Sequence, residues 1–598
     1  MSSDKTQKNN RIKKQKNTEI LRHSASHVLA AAVLEMFPDA KFGVGPAIEN
    51  GFYYDFDLPR TLIPEDLPLI EEKMKKIIKV NYPFEKKEIS IDNAREHFIK
   101  AQEPYKVELI NDLKSEGSKK VSVYKTGNFV DLCSGPHLES AGGINLEAVK
   151  LTKISGAYWK GDEKNKQLQR IYGVVLKNKR ELDEYLKILA EAEKRDHKKL
   201  GRELDLYSFH PEAPGSAFWH PKGMIIWNIL ENLGKSLRQK YKYEEIQTPI
   251  LAKCGLWKTS GHWDHYKDSM FSFDVEKETY CIKPMDCPFN ILIYKKNQRS
   301  YRDLPIRYTE IGRVMRNEKS GELNGLLRVR HITQDDSHVF LIKDQVKDEI
   351  ITLIKMAKEY FQRFNIEPEF FFSTRPEDFM GEIKDWDEAE KDLESALKSE
   401  KVKYEVKEKD GAFYGPKIDI DIKDALGRRW QLATIQLDFQ LPQRFELEYV
   451  DKDGKKKTPV MIHAAIFGAF ERFVGIITEH FAGAFPLWLS PVQAVIIPVS
   501  EKFNAYAEKI NSLLLASDIR SSISGQSETL GKRISESEKQ KIPYMLVVGE
   551  KEMNSDSVAV RSRDDKKPSS AKTPAGKQEV MKADKFIEKI KKEISDKL

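Results

Sequence analysis

Five side chains in the first quarter of the chain could move protons or bind a metal ion. His23 and His27 lie four residues apart in H-S-A-S-H, so a helix would present both imidazoles on one face. Asp131, Cys133 and His137 follow in D-L-C-S-G-P-H, within a Gly-Pro turn. Imidazole, thiol and carboxylate groups can move protons or coordinate a metal, and both chemistries stay open at this point. An isolated H-x-x-x-H is more typical of two surface histidines, so the second motif is what favours a site.

Arginines in the middle of the chain could bind phosphate. M-R-N-E (315–318) and R-V-R (328–330) lie between two β-rich runs. A guanidinium group remains charged and can hold a phosphate through two N–H groups. An isolated pair of this kind is usually a solvated ion pair on a hairpin, so the surrounding sequence must decide between the two interpretations.

The four cysteines, at 133, 254, 281 and 287, are too few for a disulfide framework and indicate reduced thiols. Cys281 and Cys287 are separated by five residues, more than the usual two to four of zinc knuckles. We therefore interpret Cys254 and Cys281 as buried thiols.

The composition is that of a large soluble protein. The chain has 598 residues, 40% apolar and 32% charged, with a net charge of +7 that permits a polyanionic partner without requiring one. No run approaches the ~18 apolar residues of a membrane span, and the first residues have no secretory apolar region. These features predict a cytoplasmic protein.

The elements that must position these residues change in type along the chain. Residues 20–37 predict a helix that carries both histidines, and 177–200 predict a charged, exposed helix. The β-rich runs after residue 200 predict a mainly antiparallel sheet, and an α/β alternation follows Pro491, with a flexible loop at 564–577. We predict a multidomain fold of the α+β and α/β classes, divided into a disordered basic tail (1–17), an α/β domain (18–180), a linker helix (181–200), a large domain with an antiparallel sheet (201–488) and a C-terminal α/β domain (489–598).

Three ordered segments resemble motifs 1, 2 and 3 of the class II aminoacyl-tRNA synthetases. They are the extended run K-Y-E-E-I-Q-T-P-I-L (242–251), the R-N-E hairpin and G-A-F-E-R-F (468–473). The segments between them are similar to the threonyl-tRNA synthetase branch: C-I-K-P-M-D-C-P (281–288), Q-D-D-S-H (334–338), F-Y-G-P-K (413–417), Q-L-D-F (436–439) and M-I-H (461–463). The two histidine motifs and the segment 155–173 resemble the editing domain that threonyl- and alanyl-tRNA synthetases share. The resemblance runs from about residue 20 to the C-terminus.

The resemblance implies an ATP-dependent ligase that joins threonine to tRNA(Thr), with a separate site that hydrolyses seryl-tRNA(Thr). Valine has nearly the shape of threonine, and an apolar pocket would separate the two only ~100-fold. A zinc ion with an open position solves this problem because it requires the hydroxyl group that valine lacks. Serine also offers a hydroxyl, so a second hydrolytic site is needed. Mg²⁺ with ATP and a homodimer formed through motif 1 are further implications.

The family pattern assigns roles to individual positions of this chain. Arg316 is expected at the α-phosphate, Glu318 at the adenine amino group, Arg472 at the γ-phosphate and Arg328 near the nucleotide. The expected zinc ligands are Cys287, His338 and His463. The threonine-side contacts are expected to be Gln334, Asp336, Tyr414, Lys417, Gln431 and Gln436. Editing is expected of His23, His27, Asp131, Cys133 and His137, and anticodon contact of Arg533, Glu552 and Arg561.

Three features depart from the family pattern. Only a short tail precedes Ile20, where many members have a ubiquitin-like domain. Ala464 follows His463 where arginine is usual, which predicts the loss of a cation beside the active site. Ser535 replaces an arginine expected near the anticodon, and Arg533 is a candidate substitute.

Two alternatives to the threonyl enzyme remain. The first is an alanyl-type synthetase, against which the C-terminal domain and the Cys-His-His set argue. The second is a non-catalytic RNA-binding paralogue, for which Ala464 and Ser535 would be early signs of decay. Arg316, Glu318 and Arg472 are present together with all three expected zinc ligands, and this combination favours an active enzyme.

Overall fold

The computed structural model describes residues 2–49, 51–525, 527–563 and 579–596, with the side chains from residue 16 onward. The chain divides into two compact units, Met1–Ala190 and Glu191–Leu598. The boundary falls inside the predicted linker helix. The predicted flexible loop at 564–577 lies outside the described residues. Among the described residues, no helix is both long and apolar enough to span a bilayer.

Unit 1 contains the two histidine motifs. Its helices are α1 (Ser2–Met36), α2 (Asp66–Val80), α3 (Ile91–Lys100), α4 (Pro104–Ser115) and α5 (Lys179–Arg195), the last of which contains the boundary with unit 2. Its strands are β1 (Lys41–Phe42), β2 (Ala47–Ile48), β3 (Gly51–Asp57), β4 (Glu85–Ser90), β5 (Lys120–Thr126), β6 (Phe129–Leu132), β7 (Val149–Tyr158) and β8 (Gln167–Val175). They form an antiparallel sheet of order β1-β3-β8-β7, with β2 beside β3, and a second sheet of order β4-β5-β6.

Helix α1 begins earlier than the sequence pattern indicates. The apolar positions Ala25, Val28, Leu29 and Ala32 are fully buried and anchor its second half against the sheet. Residues 2–17, predicted to be a disordered tail, continue the same helix. The physical reason is that lysine, glutamine and arginine are good helix formers, and extension of an existing helix avoids the cost of a new nucleus.

Unit 2 is built around an eight-stranded sheet. Its helices are α6 (His197–Glu203), α7 (Pro221–Lys240), α8 (Cys254–Ser260), α9 (His262–Tyr266), α10 (Cys287–Lys295), α11 (Val346–Gln362), α12 (Ile383–Ser399), α13 (Gln440–Arg444), α14 (Phe470–His480), α15 (Asn504–Leu515), α16 (Leu530–Lys539), α17 (Glu550–Asn554) and α18 (Ala583–Ser595). Its strands are β9 (Tyr207–Phe209), β10 (Ala217–Trp219), β11 (Glu244–Glu245), β12 (Leu251–Lys253), β13 (Ser272–Val275), β14 (Glu278–Ile282), β15 (Ile306–Met315), β16 (His331–Leu341), β17 (Pro368–Ser373), β18 (Tyr404–Lys407), β19 (Lys417–Lys423), β20 (Arg429–Asp438), β21 (Tyr449–Val450), β22 (Lys456–Lys457), β23 (Val460–Ala469), β24 (Ala494–Pro498), β25 (Ser521–Ile523), β26 (Tyr544–Val548), β27 (Ser557–Ser562) and β28 (Glu579–Lys582).

The large sheet has the order β11-β15-β16-β23-β20-β19-β17-β18. All neighbouring strands in it are antiparallel except the two outermost pairs, β11–β15 and β17–β18. The main core lies on one face of this sheet, where α7, α11 and α14 contribute residues such as Leu230, Leu353 and Phe473. The prediction of a mainly antiparallel sheet is therefore confirmed.

The C-terminal part of unit 2 has its own five-stranded sheet and core. Strand β24 is parallel to β25 and β26, while β26, β27 and β28 run antiparallel. Helices α15 and α18 pack on this sheet through Ile510 and Phe586. The predicted α/β alternation is found, and the sheet is mixed because β27 and β28 return as hairpins.

Candidate active sites

A thiol and two imidazoles converge on the large sheet. Strands β16 and β23 pair in a register that sets His338 opposite His463, and Cys287 is the first residue of α10. The ligand atoms of these three residues all lie within 4.8 Å of one another, and all three side chains are buried. This is the size of a site for one ion.

Acidic side chains hold the two imidazoles. Asp438 Oδ2 lies 2.9 Å from His463 Nε2, and Asp336 Oδ2 lies 3.7 Å from His338 Nε2. The hydrogen bond between His463 Nε2 and Asp438 fixes the tautomer of that ring and leaves its other nitrogen free to bind an ion. Burial, followed by Asp336 and Asp438, raises the pKa of the Cys287 thiol well above its usual value. One sulfur and two nitrogens, with carboxylates behind them, fit an open zinc site.

His262 adds a third imidazole that the sequence motifs miss. Its Nε2 lies 3.9 Å from Cys287 Sγ, and its Nδ1 lies 2.8 Å from Ser260 Oγ. Burial, with smaller contributions from His463 and Arg316, lowers the pKa of His262 to about 4. The ring is therefore neutral at physiological pH. Its only sequence signal is the turn S-G-H, in which Gly261 has a φ of 82°.

The predicted threonine-side residues lie on strands next to the ligand group. Gln436 is opposite His463 in the β20–β23 pairing, and Tyr414 hydrogen-bonds Gln436 Oε1. The Tyr414 and His463 ring centroids are 5.3 Å apart. Lys417 is opposite Gln436 in the β19–β20 pairing, so the fold brings these four side chains to one region.

The other three predicted contacts occupy different positions around this region. Asp336 precedes His338 by two residues on β16 and therefore shares its face of the strand. Gln334 lies beyond a register shift, where it pairs with Ala469. Gln431 donates from Nε2 to Asp419 Oδ1 at 2.7 Å, and the same aspartate pairs with Lys417 Nζ at 2.9 Å.

Three arginines converge beyond the end of β15. Arg316 follows β15, Arg328 hydrogen-bonds Glu318 Oε2 at 2.7 Å, and Arg472 on α14 donates from Nε to Leu327 O at 3.1 Å. Burial, followed by the charges of Arg316 and Arg328, lowers the pKa of Arg472. Concentrated positive charge of this kind is suited to a polyphosphate.

The residues predicted to perform editing form a compact cluster in unit 1. Cys133 Sγ lies 3.3 Å from both His23 Nε2 and His137 Nε2. The ligand atoms of these three residues and of His27 all lie within 4.8 Å of one another. Burial, followed by His27 and His23, lowers the pKa of His137 to about 2, and burial raises the pKa of Cys133 to about 12. These groups are therefore neutral at physiological pH, and the lone pairs of the neutral imidazoles can bind an ion or a water molecule.

Asp131 lies beside His27 of this cluster and is itself held by two residues, Tyr54 and Lys106, that the sequence motifs do not include. Its Oδ2 accepts a hydrogen bond from Tyr54 Oη at 2.6 Å and lies 3.4 Å from His27 Nε2. Its Oδ1 pairs with Lys106 Nζ, which also donates to Tyr54 Oη at 3.1 Å. Lys106 is only 2% exposed. A buried lysine requires a charged partner, and Asp131 supplies it.

Two of the predicted anticodon residues, Arg533 and Glu552, have an internal partner. Arg533 on α16 is buried and donates from Nη1 to Pro498 O at 2.8 Å. Glu552 accepts the Gly549 N–H at 3.0 Å at the start of α17. Arg561 is half-buried on β27, and Ser535 is exposed on α16. A surface contact with RNA is compatible with Glu552 and Arg561, whereas Arg533 is turned inward.

The side chain of Ala464 does not face the group formed by Cys287, His338 and His463. Successive side chains on a strand point to opposite faces, and Ala464 lies in the main core while its neighbour His463 belongs to the ligand group. The side chain of an arginine at this position would leave β23 on the face that packs in the core. The expectation that Ala464 removes a cation beside the active site therefore does not fit the geometry.

Comparisons with known proteins agree with this layout. Residues 270–481 match the tRNA synthetase class II core domain (G, H, P, S and T), 493–593 match an anticodon binding domain, and 121–172 match the threonyl and alanyl tRNA synthetase second additional domain. A solved structure titled as the RNA binding domain of threonyl-tRNA synthetase from Cryptosporidium parvum Iowa II is 40% identical, with a TM-score of 0.63, and covers 66% of this chain and 98% of its own.

Curated relatives match nearly the whole chain. The threonine–tRNA ligase of Caldanaerobacter subterraneus subsp. tengcongensis is 52% identical over 97% of this chain and 88% of its own length. That of Clostridium tetani is 50% identical over 91% of this chain and 84% of its own. Identity at this level over so much of both chains excludes the alanyl-type alternative. The chain belongs to the threonine–tRNA ligases, class II synthetases that carry a catalytic core, an anticodon-binding domain and an editing domain.

Proposed function

We propose that Cys287, His338 and His463 hold one zinc ion in the synthetic site. The observation that carries the proposal is the buried convergence of one sulfur and two imidazoles within 4.8 Å. When bound, zinc supplies coordination for the amino and hydroxyl groups of threonine, and valine cannot offer the second group. Asp336, Tyr414 and Gln436 lie beside the ion site and orient the substrate.

The remaining predicted substrate residues complete the site. Gln334, Lys417 and Gln431 frame the amino acid from β16, β19 and β20. Lys417 provides the cation suited to the threonine carboxylate as it approaches ATP. The Asp419 carboxylate that binds both Lys417 and Gln431 fixes these two side chains in place.

Threonine activation is an in-line attack of the carboxylate on the α-phosphate of ATP, which enters with Mg²⁺. Arg316, Arg328 and Arg472 stabilise the charge that develops on the phosphates, and Glu318 accepts the adenine amino group. Burial, followed by the charges of Arg316 and Arg328, lowers the pKa of Arg472, and a polyphosphate would relieve the repulsion among the three guanidinium groups. The step requires no protein nucleophile.

We propose that His23, His27, Cys133 and His137 perform the hydrolysis of seryl-tRNA(Thr), with Asp131 as their support. Neutral imidazoles within 4.8 Å of one another can position a water molecule and accept its proton. The same atoms also have the spacing of a metal site. Deacylation after dialysis against a chelator separates the two interpretations, because proton transfer alone survives metal removal.

The C-terminal domain is proposed to bind the anticodon through Glu552 and Arg561, with Arg533 positioning the loop after β24. The domain limits 18–180, 201–488 and 489–598 are part of the same proposal. A homodimer through motif 1 is supported by the position of β11 at the edge of the large sheet, where a further strand can add.

A matched pair of cysteine variants tests the synthetic site. Cys287→Ser should lose bound zinc and threonine-dependent ATP–pyrophosphate exchange, while it still deacylates seryl-tRNA. Cys281→Ser alters a fully buried thiol outside the ligand group and should retain both zinc and exchange. Metal content is measured by mass spectrometry, and exchange is measured with threonine, serine and valine.

Equal zinc loss in both variants, or loss of exchange and deacylation together in a folded Cys287→Ser protein, contradicts the assignment. A wild-type enzyme without threonine-dependent exchange would support the non-catalytic alternative.

A further inference from the structure

A hydrogen-bonded chain of Asp205, His220 and Ser208 lies in unit 2, apart from the residues of both sites. Asp205 Oδ1 is 2.6 Å from His220 Nδ1, and His220 Nε2 is 2.9 Å from Ser208 Oγ. These distances suit a carboxylate that orients an imidazole and an imidazole that takes the proton of a serine. Neither synthesis nor editing, as described above, uses any of the three.

The backbone holds the three side chains in place. Strands β9 and β10 pair antiparallel, with Ser208 opposite Phe218, and His220 follows β10 directly. The His220 N–H donates to Leu206 O at 2.9 Å, which ties it to the segment that carries Ser208. Asp205 has a φ of 57°, a left-handed conformation that aspartate tolerates better than most residues. The alignment therefore rests on strand pairing and a tight turn.

A second imidazole also contacts the Ser208 hydroxyl. Asp205 accepts Nδ1–H of His220, so His220 Nε2 carries the lone pair that accepts the Ser208 hydroxyl proton. His210 Nε2 lies 2.8 Å from the same Ser208 Oγ. With a neutral His220 in this tautomer the single hydroxyl proton of Ser208 points to His220, and His210 then donates its own N–H to Oγ.

The surroundings of Ser208 are open and apolar. The side chains of Asp205 and His220 are 60% and 34% exposed. Phe218, opposite Ser208 in the β9–β10 pairing, is an exposed large apolar residue. The His210 ring packs edge-on against Phe218, with centroids 4.7 Å apart. The exposed Phe218 ring, on the same face as the Ser208 hydroxyl, provides a surface for an apolar acyl group.

We propose that Ser208, His220 and Asp205 form a hydrolytic triad for small activated carboxylic esters with an apolar acyl group. Ser208 Oγ attacks the carbonyl carbon while His220 Nε2 takes its proton, and the bond to the leaving oxygen then breaks as His220 returns the proton to it. Water cleaves acyl-Ser208 by the same route. One ester and one water give one acid and one alcohol, with no oxidant or reductant.

The test uses the full-length enzyme with a fluorophosphonate probe and with p-nitrophenyl butyrate. The probe should label the wild type on Ser208, located by peptide mass spectrometry, and the ester should give a burst of p-nitrophenol. Ser208→Ala should lose both signals. The matched control is Ser236→Ala on α7, whose Oγ donates to Asn232 O at 2.7 Å, and it should behave as the wild type.

Two further variants separate a catalytic role from a structural one. His220→Gln should slow labelling of Ser208 about 100-fold, the usual contribution of a general base. Asp205→Asn should slow it about tenfold, less than in buried triads because Asp205 is largely exposed. Threonine-dependent exchange should be unchanged in each variant, which shows that the fold is intact. Wild-type labelling no faster than that of Ser208→Ala, or labelling at another residue, overturns the proposal.

Discussion

Lys106 in unit 1 pairs with Asp131, which in turn lies beside His27 of the proposed editing site. It pairs with Asp131, and Tyr54 bonds to both groups. Lys106→Met should leave a buried carboxylate without its cation, which costs about 3–5 kcal/mol. Asp131 should then take up a proton or move, and either change withdraws its support from His27. We expect a lower thermal unfolding temperature and slower deacylation of seryl-tRNA.

The exposed Lys125 on β5 provides the control for this prediction. Lys125→Met changes the same functional group without burying an unpaired charge, so it should preserve both stability and deacylation. Normal deacylation by Lys106→Met would show that Asp131 does not need its cation.

Glu471 gives a pH dependence to the catalytic core. Burial raises its pKa to about 7, and Oε2 accepts the Thr333 N–H at 2.9 Å. Between pH ~4.5 and ~7 the unfolded chain releases a proton that the folded chain keeps, so stability falls as pH rises through this window. Above pH ~7 Glu471 is ionised in both the folded and the unfolded state, and the dependence ends. The total change in the free energy of unfolding is at most about 3 kcal/mol.

Glu471→Gln keeps an acceptor for Thr333 and removes the titration, so it should flatten this part of the pH profile. Urea midpoints at pH 5 and pH 8 measure the effect. The exposed Glu508→Gln should keep the wild-type profile. Identical shifts in the wild type and Glu471→Gln would mean that Glu471 does not contribute.

At the residue level the family resemblance named side chains that lie far apart in the sequence, whereas single residues without a motif were not predicted. The Cys287, His338 and His463 set was predicted, and these side chains do converge. Tyr54 and Lys106 were missed because each stands alone in its segment. The orientation of Ala464 was missed because the alternation along β23 was not applied to it.

At the level of elements, the turn from β23 into α14 sets the position of Arg472. Gly468 has a φ of 72°, and a Cβ there would lie 2.4 Å from Leu432 O. Gly468→Ala must both adopt a left-handed conformation and displace a backbone carbonyl. We expect a loss of about 2 kcal/mol or more. Because Arg472 lies one helical turn beyond, the KM for ATP should rise.

Gly427 provides a control that separates the conformational strain from the clash with Leu432. It has a φ of 76° with no neighbouring atom within 4 Å of a Cβ, so Gly427→Ala introduces only the conformational strain. Thermal unfolding and ATP kinetics of both variants provide the comparison. Equal destabilisation would mean that the approach to Leu432 is unimportant.

Element types were more predictable than their order. Runs rich in β-branched and aromatic residues predicted the antiparallel sheet, because such residues suit a half-buried pleated surface. The sheet places β23 between β16 and β20, although about 120 residues separate β16 from β23 in the chain. Strand order of this kind depends on long-range packing, so local patterns do not specify it.

At the level of the whole molecule, the two units have separate hydrophobic cores. Cys133→Ala removes the thiol between His23 and His137 and should slow deacylation of seryl-tRNA about 100-fold. Threonine activation should be unaffected, because unit 2 retains its own core. Cys254→Ala, which alters a buried thiol in unit 2 outside the proposed ligand set, should leave deacylation unchanged. Loss of activation in Cys133→Ala would contradict independent sites.

The separation of the two cores has a consequence in terms of probability. A serine that remains on the released tRNA has passed both the synthetic site and the editing site. Because the two sites belong to units with separate hydrophobic cores, the probabilities of passing each site are multiplied. If each test rejects about 99 of 100 errors, roughly one in ten thousand passes both. A substitution that impairs one core therefore raises the error frequency by the factor lost at that test alone, and the other factor remains in force.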